Sequence, residues 1–381
     1  MDNGQVEMVG RIWHEVDLIS LVTDWASVLL KLPYPVHFSF NRHKLPVILT
    51  DSNDTQHLMA QVGASMSTIH KSAPLLLQRL QQGISVPPVE LIYTPHSRWP
   101  LPHPRITQQQ PNRPLRISVL DSSFNPPTLA HLALANSPRP SYRDDGEENS
   151  EIPGAHGYDA KLLLLSVKNA DKSLKAGDAT YQQRLEMMLL LSKDVRASTH
   201  SFPEHESANV AIAIIDKPTF VGKSTALLDF LQRRLTTPLP FELTFLVGLD
   251  TLERLFSLRY YTSETDMLAS LRQFLSAAPQ GDNSRIVCAK RPSSLAKAVK
   301  CTEKLEDLPS LALAKEFTES DRIHIIDIGH VIDSYSSSAI RSAIGCFGLG
   351  QSIDSDQDGK WKIMVTRDIA HYIVEQRLYV D

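Results

Sequence analysis

A chain of 381 residues is long enough for one large domain with appendages, or for two domains. Its 42% hydrophobic content fits a packed core, and 39 Lys and Arg against 43 Asp and Glu, a net charge of −4, argue against nucleic-acid binding through bulk charge alone. Cys288, Cys301 and Cys346 are widely spaced, show no metal pattern and read as reduced thiols of an intracellular protein.

Residues 1–64 have mixed polarity, few clear periods and no recognisable chemistry, and read as an N-terminal extension that is poorly ordered or accessory. The opening MDNGQVEMVGRIWHEVD carries acids and lacks the basic region of a signal peptide, so a cytoplasmic or nuclear protein is expected. The apolar run from Leu18 to Leu32 is broken by Asp24 and Lys31 and is too short to span a bilayer; a surface helix or a loosely attached segment is expected there. Residues 65–113 read as an accessory segment: a helix from Ser65 to Gln82 that ends at Gly83, a strand from Val89 to Thr94, then a polar, proline-rich linker.

From residue 114 the pattern changes to regular alternation. RISVL (116–120) is a buried strand by its β-branched, apolar composition, and Leu129, Leu132, Ala133 and Leu134 then follow a helical rhythm. The stretch 137–157 is irregular and polar, the signature of a disordered insertion. Strands follow at 161–167, 209–216, 241–250, 285–291 and 322–328, alternating with helices at 178–194, from Lys223 to Leu235, and at 251–256 and 266–278. VTRDIAHYIVEQRLY closes the chain as an amphipathic helix. Six strands alternating with helices predict an α/β fold, a Rossmann-like doubly wound parallel sheet over 114–381. Ligands of such sheets bind at the C-terminal ends of the strands.

Two loops at such ends carry chemistry. After RISVL comes DSSFNPPTLAH: the prolines stop the strand, and Thr128 and His131, three apart, share the first turn of the next helix. Free backbone N–H groups beside them suit a phosphate. After the sixth strand comes DSYSSSAIRSAIG (333–345), a serine cluster that caps a short helix expected to close at Gly345. Ser338 and Arg341 share a face there, where hydroxyls and a planar guanidinium can hold phosphate oxygens. Asp250 also fits an ordinary N-cap for TLERLF, and Ser123 and Asn125 also fit roles in shaping their turn.

Taken together, these motifs resemble those of the nucleotidylyltransferase superfamily, and among its members the nicotinamide/nicotinic-acid mononucleotide adenylyltransferases. The family's GxFxPxTxxH stands here as Ser122-Ser-Phe124-Asn-Pro126-Pro-Thr128-Leu-Ala-His131, and its ISSTxIR as Tyr335-Ser-Ser-Ser338-Ala-Ile-Arg341. Gly248-Leu249-Asp250 matches the family's Gly-Ala-Asp, Arg291 matches an arginine that ends a strand, and YIVEQRLY is similar to the closing helix. The wording VLDSSFNPPTLAH is most similar to a divergent fungal branch. The resemblance covers residues 114–381, and two departures stand out. Ser122 replaces a glycine that lets backbone approach the nucleotide closely, and no tryptophan lies between Trp99 and Trp361 to stack on a pyridine ring.

What the resemblance implies is adenylyl transfer from ATP to a pyridine mononucleotide, with Mg²⁺ on the triphosphate. His131, Arg341, Thr128 and Lys172 would be catalytic, with Lys175 the alternative to Lys172. ATP would be bound by Ser122, Ser123, Phe124, Asn125, His131, Gly248, Asp250, Arg291, Ser336, Ser337, Ser338 and Arg341, and the pyridine nucleotide by Tyr261 and Phe220. The partners implied are ATP and the mononucleotide, without nucleic acid or membrane; a homo-oligomer is compatible. No resident metal site is expected. Two other readings stay open: nucleotidyl transfer to another phosphate acceptor, and a degenerate family member that binds or weakly hydrolyses nucleotide in a regulatory role.

Overall fold

The structure, a computed structural model, describes residues 52–102, 113–143, 157–168, 177–196, 208–290, 315–329, 331–348 and 359–380. The readings of residues 1–51, of the run Leu18 to Leu32 and of the linker from 103 to 112 therefore fall outside the described residues. The chain divides into two units, Met1–Gly63 and Ala64–Asp381, and the sheet belongs to the second.

The elements in chain order are α1 (Ser52–Gln81), β1 (Val89–Tyr93), β2 (Leu115–Asp121), α2 (Leu129–Ala135), β3 (Ala160–Ser166), α3 (Tyr181–Lys193), β4 (Val210–Ile215), α4 (Phe220–Arg234), β5 (Phe241–Gly248), α5 (Leu249–Leu255), α6 (Glu264–Leu275), β6 (Arg285–Ala289), β7 (Ile323–Ile326), α7 (Ser337–Phe347) and α8 (Arg367–Glu375). The seven strands lie in the order β1-β4-β3-β2-β5-β6-β7. From β4 to β7 every pairing is parallel, and β2 lies beside β5 where the winding reverses, the order of doubly wound mononucleotide-binding sheets. The sequence predicts six parallel strands; the seventh, β1, is antiparallel to β4, with Val89 opposite Ile215. A strand at the edge of a parallel sheet is free to pair this way.

The central strands read as unbroken apolar runs because helices cover both faces. In β3, Leu163 and Leu165 face one core, with Ile212 and Ile214 of β4, Leu185 of α3 and Ile340 of α7. Leu162 and Leu164 face the other, with Phe245 of β5, Leu227 of α4 and Phe274 of α6. Ile69, Ala73, Leu77 and Leu80 of α1 recur at helical spacing and join the first core, so α1 runs through Pro74 and ends where Gly83 turns left-handed at φ 70°.

Two irregular stretches have packed ends. Trp99 is 1% exposed, and its carbonyl accepts from Arg234 Nε at 2.6 Å. In residues 137–143, buried Arg139 donates to Glu242 Oε1 at 2.9 Å, while Glu242 Oε2 accepts from Arg285 Nε at 3.0 Å. Tyr142 lies under both guanidiniums, 4.6 Å from Arg139 and 4.0 Å from Arg285. The remainder of that insertion, 144–156, lies outside the described residues.

Helix α7 passes the expected stop at Gly345 and ends at Gly348, whose φ of 73° marks the chain reversal. Gly345 is thus an interior residue: Ile340 and Ile344, both fully buried, hold the helix to the core beyond the point where local propensity would end it. The last helix stops earlier than predicted, at Glu375, because Arg377 and Tyr379 take left-handed backbone (φ 50° and 64°) that turns Leu378 and Tyr379 back into the core. No helix among the described residues is long and apolar enough to cross a membrane.

Candidate active site

The C-terminal end of β2 opens into the loop 122–128, and its shape comes from what is buried beneath it. Phe124 is left-handed (φ 45°) and 0% exposed, its ring 5.5 Å from that of His131. A bulky residue keeps that backbone only where surroundings over-determine it, here by burial. Asn125 is also buried: its Nδ2 donates to Asp178 Oδ1 at 2.7 Å, and its Oδ1 accepts from Ala179 N–H at 3.2 Å and from the Tyr379 hydroxyl at 2.9 Å.

Thr128 is the N-cap of α2, and its backbone N–H donates to His131 Nδ1 at 3.0 Å. A donor on Nδ1 fixes the neutral tautomer with its proton on Nε2. That N–H points to the cleft wall and meets the hydroxyl of Ser122 at 2.8 Å. Thr128, 0% exposed, therefore acts on the histidine and is shielded from any ligand. Phe124, likewise buried, shapes the loop.

The second motif is bolted to the first. Ser337 Oγ donates to the Pro126 carbonyl at 2.7 Å, and Arg341 Nη1 to the Asn125 carbonyl at 2.5 Å. Ser336 caps α7 by accepting from Ala339 N–H at 3.2 Å, while Ser338 Oγ lies 3.4 Å from Arg341 Nη2. The two stretches, about two hundred residues apart, thus line one wall of one cleft.

That cleft holds about 880 Å³, within the usual range for a small-molecule site. Ser122, Ser123, Asn125, His131, Gly248, Asp250, Tyr261, Phe220, Ser336, Ser337, Ser338 and Arg341 all line it. Five of the lining residues are Lys or Arg (Arg184, Lys223, Arg254, Lys290 and Arg341), against three carboxylates (Asp121, Asp178 and Asp250). A surplus of cations on a low-dielectric wall suits a phosphorylated ligand. Lys172, Lys175 and Arg291 lie outside the described residues.

On the far side of the cleft, Gly248 and Asp250 stand where β5 passes into α5, and a Cβ on Gly248 would come within 3.2 Å of Asp250 Oδ1. The Tyr261 hydroxyl donates to the Leu255 carbonyl at 2.8 Å, and burial pushes its pKa up to about 12. Phe220, the first residue of α4, meets Phe245 edge-on at 5.6 Å and lies 4.9 Å from the Lys223 ammonium.

Several lining residues escape the sequence reading. Asp121, the last residue of β2, forms a buried ion pair with Lys223 of α4. Asp178 lies 3.7 Å from Arg184 and 3.7 Å from Arg341, between the two guanidiniums. Arg184 is 7% exposed, and burial lowers its pKa; its Nη1 reaches the Ser123 carbonyl at 3.4 Å. The available signal was a charge inside an apolar run, as Arg184 in QQRLEMMLLL. It points to a buried partner without naming one. Among the described residues, no group of three or more His, Cys, Asp or Glu is arranged to hold a metal ion.

No protein-family model matches the chain. It is similar to a Schizosaccharomyces pombe protein provisionally named a nicotinamide mononucleotide adenylyltransferase, with 33% identity over 175 residues. That match takes in 46% of this chain, which spans about half (53%) of the curated relative's length. Among solved structures it is similar to Plasmodium falciparum nicotinic acid mononucleotide adenylyltransferase complexed with APC, at 14% identity and a TM-score of 0.36, over 69% of this chain and 96% of that one. The second likeness is too distant to bear on the site.

Proposed function

We propose that this chain is a divergent pyridine-nucleotide adenylyltransferase of the nucleotidylyltransferase superfamily. It transfers the adenylyl group of ATP to nicotinamide or nicotinic-acid mononucleotide, giving NAD or its deamido form and pyrophosphate. One observation carries this reading: His131, its proton fixed on Nε2, stands in one cation-rich cleft with the serine cluster and Arg341. The name of the Schizosaccharomyces pombe relative supports the substrate class.

In this reaction a phosphate oxygen of the mononucleotide attacks the α-phosphorus of ATP, and the bond to the bridging α–β oxygen breaks, releasing pyrophosphate. The protein's task is positioning and charge stabilisation. His131 Nε2–H leaves the Ser122 hydroxyl and donates to an α-phosphate oxygen as negative charge gathers there. Arg341 and Ser338 hold the β- and γ-phosphates, and the Arg341 fork follows the departing pyrophosphate. Ser336 and Ser337 keep α7 in place through its cap and the Pro126 bond. Asp250 orients ribose hydroxyls. A divalent cation entering with the triphosphate, as part of the substrate, would supply charge neutralisation there. Tyr261 and Phe220 flank the acceptor's ring.

The test is product analysis: purified protein with ATP, Mg²⁺ and each mononucleotide, followed by chromatography for dinucleotide and a coupled assay for pyrophosphate. Dinucleotide is expected, and His131→Ala should lower kcat by about 10² to 10³, the cost of one preorganised donor to a transition-state oxyanion. The hydrogen bond between Ser122 and His131 favours a second reading, nucleotide binding without transfer. ATP binding with no dinucleotide from either mononucleotide would establish that one instead.

A further inference from the structure

The ion pair between Asp121 and Lys223 has no part in the phosphate chemistry above, yet both residues line the cleft. Their side chains are 8% and 6% exposed, and the Lys223 ammonium also sits 4.9 Å from the ring of Phe220. Ser166, at the end of β3, adds a hydroxyl 3.4 Å from Asp121 Oδ1. A charged pair buried in the wall of a ligand cleft, next to an aromatic ring, is costly to desolvate and adds little to stability compared with apolar packing.

The geometry points to this pair as the specificity determinant for the substituent on the acceptor's aromatic base, favouring an uncharged carboxamide over a carboxylate. The inference rests on the adenylyltransferase reading and on the base lying beside Phe220 and Tyr261. The pair is neutral as a whole. Lys223 has ammonium protons left to donate, and Asp121 Oδ1 has acceptor capacity left after a long contact with Ser166. A carboxamide supplies the matching acceptor and donor. A carboxylate supplies two acceptors and a negative charge, which meets the Asp121 carboxylate and finds in this neutral pair no net positive charge to compensate its desolvation.

Two substitutions shift the balance in opposite directions, which a structural role alone does not predict. Asp121→Asn leaves Lys223 as a surplus cation; Lys223→Gln leaves Asp121 as a surplus anion. The readout is the ratio of kcat/KM for nicotinamide over nicotinic-acid mononucleotide. In the unmodified protein it is expected above one. Asp121→Asn should lower it by about tenfold or more, and Lys223→Gln should raise it by a similar factor. Thermal-shift titration of each variant with the two mononucleotides gives the same comparison from binding alone, so a loss of turnover does not hide the result. Should one variant fail to fold, the other still carries a signed expectation. Dinucleotide formation with the ratio unchanged within about twofold in the folded variants overturns this inference alone. No dinucleotide from the unmodified protein overturns the function reading itself.

Discussion

His131 is an ordinary residue in an unusual setting. A capping box normally places Glu or Gln at the third helical position, reaching back to the N-cap N–H; here the imidazole does so, with Thr128 as the cap. The same bond that caps the first turn of α2 also fixes the tautomer and aims Nε2–H. Ser122 then takes the place where the resembled family has glycine, and its hydroxyl accepts that proton at 2.8 Å. In the proposed reaction an α-phosphate oxygen would take that hydroxyl's place. Ser122→Ala should therefore leave kcat within about tenfold of the unmodified protein, because the hydroxyl's bond is exchanged for one to substrate. Steady-state kinetics with saturating ATP checks this. A loss as deep as that of His131→Ala would mean that Ser122 itself donates to the reacting phosphates.

At the scale of elements, the site is held from behind by segments distant in sequence. The turn after α8 brings the Tyr379 hydroxyl to Asn125 Oδ1, and Asn125 in turn anchors Asp178 and the loop before α2. Burial pushes the Tyr379 hydroxyl's pKa upward, so it serves as a neutral donor. Tyr379→Phe removes one donor and leaves Asn125 Oδ1 with Ala179 N–H, so the expected cost is about 1 kcal/mol of unfolding free energy. Denaturant melts read this directly. Helix α7 is fixed in the same manner: Ile340 and Ile344 face the core while Ser338 and Arg341 face the cleft. Spacings of three and four residues make one short helix serve both surfaces.

For the molecule as a whole, the buried cations make stability depend on pH. Lys161 of β3 is 5% exposed, its Nζ donates to the Ala135 carbonyl at 2.8 Å, and burial lowers its pKa to about 8 from the ordinary 10.5. Between those values the unfolded chain holds a proton that the folded chain has lost, so this group makes the fold more stable as pH rises from about 8 toward 10.5. The slope is at most about 1.4 kcal/mol per pH unit. Buried tyrosines with raised values act in the opposite direction above pH 10, so the comparison must be made against Lys161→Met. The unfolding free energy of the unmodified protein relative to Lys161→Met should grow between pH 8 and pH 10. A difference that stays flat across that window would mean that Lys161 keeps its proton in the folded state.

How much of this was written in the sequence follows from what is local. The parallel strands, the closeness of Thr128 and His131 in one helical turn and the placing of Ser122, His131, Ser338 and Arg341 at strand ends could be read from composition, periodicity and short spacings, because backbone sterics and burial on both faces impose them within a few residues. The antiparallel pairing of β1 with β4, the run of α7 past Gly345, the bond from Tyr379 to Asn125 and the pair formed by Asp121 and Lys223 could not. Each depends on groups far apart in the chain. Lys223 lies 102 positions from Asp121 and Tyr379 lies 254 from Asn125. No periodicity spans such separations; only the winding of the sheet brings the ends of β2, β4 and α8 together. The sequence by itself determined which side chains could do chemistry, and the tertiary structure decided which of them face one another.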